Sequence, residues 1–239
     1  MGREIAGKTA LITGGTKGIG FGIAESLLKE GLNVFITGRS ETGVEEALGK
    51  MLGKSKGKAS GCKADVRSLE DMEEAVKACI SEFGSLDILI ANAGVGHFGS
   101  IEDLSVDQWN ETMDINLTGV FNSVKCTLPH LVDSKGYIFT IASLAGTNFF
   151  AGGSAYNASK FGLVGFTQAL MLDVRQKGVN VSTIMPGSVS SYFNDRVPGF
   201  GDAWKIQPED IGQIISDVLK LDPRTLPSKI EIRPSQPPK

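Results

Sequence analysis

Short apolar runs alternate along this 239-residue chain with longer stretches in which apolar residues recur every three or four positions. The short runs, bounded by turn residues, read as strands, and the longer periodic stretches read as helices. Strands are predicted at 9–13 (TALIT), 33–37 (NVFIT), 58–64 (KASGCKA), 86–91 (LDILIA), 137–142 (YIFTIA), 180–185 (NVSTIM) and 229–232 (KIEI). Helices are predicted over 18–30, 41–52, 68–83, 107–133, 154–177 and 208–220. The third is opened by Ser68 as N-cap with Asp71 three residues on. This alternation predicts an α/β fold: a doubly wound, seven-stranded, mainly parallel sheet with helices on both faces. The length suits one large domain over residues 1–239 rather than two small ones.

Two segments leave the pattern. Residues 187–207 (GSVSSYFNDRVPGFGDAWKIQ) follow the sixth strand without a clear period, and a stretch that long inside a domain reads as a lid or binding loop. Tyr192, Phe193, Phe200 and Trp204 are then expected to line a pocket. The Pro-rich tail, about 234–239, is expected to be extended or disordered.

Composition narrows the function classes. With 41% hydrophobic and 21% charged residues the chain is an ordinary soluble globular protein, and 30 glycines favour tight turns. A formal net charge of -3 disfavours nucleic acid and anionic membranes as partners. Cys62, Cys79 and Cys126 show no C-x-x-C spacing, which argues against a disulfide framework and a zinc cage. His97 and His130 lack any ligand spacing, so both read as ordinary residues and no metal is expected. The start MGREIAGKTALIT resembles neither a signal peptide nor a membrane span, and a soluble, cytoplasmic protein is expected.

Chemistry first appears at TGGTKGIGFG, residues 13–22, directly after the first strand. The segment does not fit G-x-G-x-x-G, since Ile23 stands where the last glycine would be. It does offer Gly14, Gly18 and Gly20 at a strand-to-helix turn, where missing side chains let a diphosphate approach backbone N–H groups at the positive helix end. The second strand ends in ITGRS, with Arg39 where a 2'-phosphate would be met and Lys17 able to reach the same group. Glu41 is close enough in sequence to serve as a ribose acid instead. The reading favours NADP(H) over NAD(H).

In SAYNASK, residues 154–160, Tyr156 and Lys160 stand four apart on one helix face. Alone this spacing fits a surface pair as well as a site. Ser143 follows the end of the fifth strand, however, and the loop between can bring hydroxyl, phenol and ammonium together outside the carboxyl ends of the strands. At this point the chain resembles the short-chain dehydrogenase/reductase family, with its single Rossmann-like domain. The likeness runs from about residue 5 to 220 through TGGTKGIG, ADV at 64–66, NAG at 92–94, Asn116 in DINLTGVF, Ser143, the Tyr156 and Lys160 pair, and Pro186–Gly187.

The resemblance implies roles residue by residue. Tyr156 would be the general acid/base, Ser143 would hold the substrate oxygen, Lys160 would bind the nicotinamide ribose and bias Tyr156, and Asn116 would order a proton-relay water. The cofactor would meet the turn Gly14, Thr16, Lys17, Gly18, Ile19 and Gly20, then Arg39, Asp65 and Val66, then Asn92, Ala93 and Gly94. Tyr156, Lys160, Pro186, Gly187, Val189 and Ser191 would complete its nicotinamide end. A phenol near its usual pKa of about 10 is protonated at neutral pH, and a neighbouring Lys160 is expected to lower it.

Some residues depart from the family pattern. Ala91 replaces the first Asn before Ala-Gly, Ser191 replaces a Thr, and the C-terminus lacks the Gly-rich ending that often builds a tetramer. A homodimer through 107–133 and 154–177, or a homotetramer, is the expected assembly. The function implied is NADPH-dependent reduction of a ketone or aldehyde to an alcohol. Phe149, Phe150, Tyr192, Phe193 and Trp204 point to an apolar or aromatic substrate. Reduction of a 3-oxoacyl group on acyl carrier protein is the alternative reaction, and a non-catalytic NADP(H)-sensing protein the alternative class.

Overall fold

Successive residues of a strand point to opposite faces, so a sheet covered on both sides needs apolar residues at every position. The computed structural model bears this out over the residues it describes, 4–51 and 56–237. The last residue expected in helix 41–52 and the last two of the tail lie outside the described residues. The strands are β1 (Thr9–Ile12), β2 (Asn33–Gly38), β3 (Ala59–Lys63), β4 (Ile88–Ala91), β5 (Tyr137–Ile141), β6 (Asn180–Pro186) and β7 (Lys229–Ile232). They form one seven-stranded sheet in the order β3-β2-β1-β4-β5-β6-β7. Every pairing is parallel, so the expected "mainly parallel" sheet is wholly so.

The helices are α1 (Gly18–Lys29), α2 (Glu41–Met51), α3 (Leu69–Phe83), α4 (Val106–Met113), α5 (Gly119–Asp133), α6 (Ser154–Val174) and α7 (Pro208–Leu219). Alternation within the strands feeds two cores. Ala10, Ile12, Ile36 and Ile90 pack with Ile23 and Leu27 of α1 and with Ile211 and Ile215 of α7. Leu11, Phe35, Leu89 and Ile138 pack on the other face with Met72 of α3, Val124 of α5 and Leu163 of α6. The edge strands β3 and β7 are only half-buried, which explains their weaker apolar pattern.

Two sequence expectations need correction here. The helix predicted over 107–133 is interrupted by a π turn, Asp114–Thr118, closed by a hydrogen bond from Gly119 N to Asp114 O. A single π turn is too short for a periodicity read over a window of about 11–18 residues to resolve, so the pattern reads as one continuous helix. Gly119 lies at the join, where a β-carbon would come within 2.6 Å of Val66 Cγ2. In segment 187–207, Val189 and Ile206 form an isolated bridge that closes the loop at its base, and short 3-10 turns span Phe193–Asp195 and Phe200–Asp202. Phe200 does not line a pocket: it is fully exposed at the loop tip between Gly199 and Gly201, which have open space around them.

Candidate active site

The strand order reverses between β1 and β4, and the loops leaving their carboxyl ends diverge to open a crevice there. Thr13, buried just after β1, fastens the two loops: its hydroxyl accepts from Asn92 N at 3.0 Å and Ala93 N at 3.1 Å. The Asn92 amide returns two bonds, to Thr13 O at 2.9 Å and Gly14 O at 3.0 Å. Gly14 adopts φ 64° and its β-carbon would sit 3.0 Å from Ala93 Cα, so only glycine turns the chain there without strain. Gly18, at φ 59°, faces Ser191. Lys17, the residue before α1, makes no side-chain cap, which leaves the first N–H groups of that helix to another acceptor.

These loops enclose a cleft of about 790 Å³. Of the residues expected at the cofactor, Gly14, Thr16, Lys17, Gly18, Ile19, Arg39, Asp65, Val66, Asn92, Ala93, Gly94, Pro186, Gly187, Val189 and Ser191 line it, together with Ser143, Tyr156 and Lys160. Gly20 lies behind the lining: a β-carbon there would meet Gly14 O at 2.4 Å, so its part is to let α1 close on the turn. The concave glycine turn, the uncapped helix end and the basic side chains of Lys17 and Arg39 fit a dinucleotide. Thr16, Lys17 and Gly18 would hold its diphosphate and Arg39 a 2'-phosphate.

The SAYNASK segment opens α6, and four of its polar residues have tasks. Tyr156 faces the cleft, and the Ser143 hydroxyl, which also lines it, acts on the phenol. Asn157 faces the opposite way and donates to Ala145 O and Asn148 O, both at 2.8 Å, fastening the loop that carries Ser143. Ser159 donates to Tyr156 O at 2.8 Å and accepts from the Asn116 amide at 3.0 Å. Lys160 is buried, with Nζ donating to Ile141 O at 2.9 Å and standing 5.7 Å from the Tyr156 ring centre. The end of β5, the first turns of α6 and the π turn thus converge on one phenol.

The electrostatics modify the sequence reading. The residues of this chain push the Tyr156 phenol above its ordinary value, because burial penalises phenolate, while the Ser143 hydrogen bond works in the opposite direction. The expected lowering by Lys160 is therefore corrected: burial raises the phenol, and the opposing effect comes from Ser143. The same burial pushes the Lys160 ammonium down to about 8. Asn116, fully buried in the π turn, does not line the cleft; its amide also donates to Val95 O at 2.9 Å and accepts from Val95 N at 2.8 Å. What its side chain does is tie the loop after β4 to α6.

At the far end of the cleft, Arg67 grips the Asp65 carboxylate through Nε and Nη2. That hydrogen bonding holds the Asp65 carboxyl below its ordinary range. Arg39 is 3.8 Å from Glu111 Oε1, and His97 Nε2 is 2.8 Å from Glu111 Oε2. The acid beside Arg39 is thus Glu111, whereas Glu41, in the first turn of α2, is absent from the lining. Sequence reasoning missed Glu111 and took His97 for an ordinary loop residue, because 14 residues separate them.

Aromatic residues close the near end. Phe98 and Phe193 stack edgewise or tilted against Tyr156, with ring centres at 5.3 and 5.6 Å. Tyr192 and Trp204 line the cleft as expected. Phe149 and Phe150 do not: the first is exposed, and the second packs on Phe98 at 6.1 Å. Phe98, on the loop after β4, replaces them. Among the described residues no group of three His, Cys, Asp or Glu could hold a metal ion, and no helix is long and apolar enough to cross a membrane.

Known proteins share this arrangement. A putative ketoacyl reductase of Streptomyces coelicolor is 35% identical over 93% of this chain and 87% of its own length. A glycine betaine reductase of Emericella nidulans is 33% identical over 98% of this chain, which spans only 19% of that much longer protein. Among solved structures, the alcohol dehydrogenase of the archaeon Thermococcus sibiricus complexed with 5-hydroxy-NADP superposes with a TM-score of 0.91 at 26% identity, covering 97% of this chain and 99% of that one. The model of short chain dehydrogenases matches residues 8–198, from β1 into the lid loop. With Ser143, Tyr156 and Lys160 inside the matched span and meeting in the cleft, this chain belongs to the short-chain dehydrogenase family.

Proposed function

We propose that this chain is an NADP(H)-dependent oxidoreductase that reduces a ketone or aldehyde to an alcohol, with Tyr156 as proton donor. The observation that carries the reading is that the Tyr156 phenol, the Ser143 hydroxyl and buried Lys160 meet in the lining of a cleft that fits a dinucleotide. The cofactor supplies hydride to a carbonyl carbon. Tyr156, kept protonated by its buried setting, donates to the oxygen on which charge develops, and Ser143 holds that oxygen in reach. Phe98 and Phe193 beside the phenol exclude water and favour an apolar or aromatic substituent on the substrate.

Reduction of a 3-oxoacyl thioester is the second reading, supported by the likeness to the ketoacyl reductase. An acidic carrier would need a basic docking patch. Of the two lid cations, Lys205 is paired with Asp202, which leaves Arg196 to serve it. A sensor of NADP(H) has no use for the Ser143 and Tyr156 contact, so turnover is favoured over sensing. We also propose a homodimer through α5 and α6, whose outer faces carry exposed Phe121, Phe161 and Leu172. The free thiols Cys62, Cys79 and Cys126 suit a reducing, cytoplasmic setting.

The test is NADPH consumption with aromatic ketones, diketones, aldehydes and an acetoacetyl thioester, with Tyr156→Phe run in parallel. Turnover lost by 10²-fold or more in the variant, with NADPH still bound, is the expected result. Unchanged turnover in Tyr156→Phe would overturn the assignment of the proton donor. Tight NADPH binding with no turnover of any substrate class would favour the sensor.

A further inference from the structure

We propose that Glu111 determines which form of the nicotinamide cofactor this chain takes, by competing with a 2'-phosphate for the Arg39 guanidinium and offering its own carboxylate to an unphosphorylated ribose. The inference rests on the cofactor reading above and deepens it. Glu111 projects from α4 into the end of the cleft where β2 delivers Arg39 and the loop after β4 delivers His97. His97 anchors one carboxylate oxygen at 2.8 Å, while the other stands 3.8 Å from Arg39. The Arg39 side chain is 63% exposed, so the pair is loose and the guanidinium can turn to a stronger anion at small cost.

The local charge sum gives Glu111 its leverage. Arg39 acts on Asp65, and Glu111 and Asp114 both act on Arg67, so one field joins these groups. Arg39 and Arg67 share it with the carboxylates Asp65, Glu111 and Asp114, and Lys17 lines the same cleft. A phosphate bearing nearly two negative charges is repelled by the Glu111 carboxylate beside Arg39, whereas a ribose hydroxyl carries no such penalty and finds an acceptor. The side chain of Gln has the size of Glu and can still bond His97. Glu111→Gln therefore removes the charge while keeping the shape.

Neutralising one charge within several ångströms of a dianion, in a partly exposed site, changes affinity roughly tenfold. The measurement is the dissociation constant of NADPH and of NADH, by fluorescence titration of the full chain at fixed ionic strength. Wild type, Glu111→Gln, Arg39→Gln and the double variant are compared, with melting temperature as the check on folding. Glu111→Gln is expected to raise the preference for NADPH over NADH about tenfold. With Arg39 already replaced, the same change is expected to shift that preference about threefold or less, since the contest for Arg39 is gone. Should Glu111→Gln fail to fold, Glu111→Ala is read in the same way.

A preference within twofold of wild type, with both nucleotides still binding, would overturn the role of Glu111 and leave the cofactor reading intact. An equal shift with and without Arg39 would overturn the competition. A wild-type chain that binds neither nucleotide would sink the cofactor reading, and this inference with it.

Discussion

Replacing Lys160 by Met is expected to stabilise the protein while abolishing its turnover. The ammonium is 4% exposed and has one hydrogen bond, to Ile141 O at 2.9 Å. Burial lowers its pKa from 10.5 to about 8. At pH 7 that drop corresponds to about 3 kcal/mol, the amount by which the charge disfavours the folded state. Met fills a similar volume without charge but leaves the Ile141 carbonyl without its donor, a loss of about 1–2 kcal/mol. The net gain of about 1–2 kcal/mol raises the melting temperature by about 2–8 °C for a domain of this size. Between pH 8 and 10.5 the unfolded chain holds this proton more tightly than the folded one, so wild-type stability rises with pH across that window. Calorimetry at pH 7 and about pH 9.5 should therefore show the advantage of the variant shrinking by about 2 kcal/mol. NADPH turnover should fall by 10²-fold or more at both. A variant clearly less stable than wild type at pH 7, or a stability difference that does not move with pH, would refute the reasoning.

The remaining predictions concern packing and assembly. Gly22→Ala, where a β-carbon would lie 2.4 Å from Pro208 Cβ and 2.7 Å from its carbonyl carbon, is expected to push α7 off α1. The cost should be about 1–3 kcal/mol in urea unfolding, and an unchanged midpoint would mean the two helices part freely. Sedimentation at micromolar concentration should give a dimer that Leu172→Asp converts to monomer; a wild-type monomer would remove α5 and α6 as a pairing face.

How much of this was legible follows from which interactions are local. All the strands and most helices came through, because a sheet buried on both faces forces continuous apolar runs and the amphipathic helices show their period. Residues in short motifs were equally legible: of those expected at the site, only Gly20 and Asn116 stand behind the cleft lining rather than on it. The break at Asp114–Thr118 was not, since a π turn changes a hydrogen-bond pattern and not a composition. Nor was the Arg39, His97 and Glu111 cluster, built from three elements far apart in sequence. The aromatic wall shows the same limit. Phe98 reaches Tyr156 whereas Phe149 and Phe200 face outward, and no local pattern distinguishes them.

The π turn and the SAYNASK segment solve one problem between them. The phenol proposed as proton donor must be held rigidly yet remain at a cleft wall, so its support has to come from behind. Asn116 supplies it: one amide donates both to Val95 O and to the Ser159 hydroxyl, and that hydroxyl donates to Tyr156 O. The loop after β4, which lines the cleft with Ala93 and Gly94, is thereby fixed to the first turn of α6, which carries the phenol. Each polar atom in this chain of contacts is partnered, so its burial adds rigidity without leaving a group unsatisfied. The 114–118 turn brings Asn116 against Ser159 and Val95 together, although all three stand in separate segments of the sequence. The position of the Tyr156 phenol is in this way supported by Asn116 and Ser159, neither of which lines the cleft.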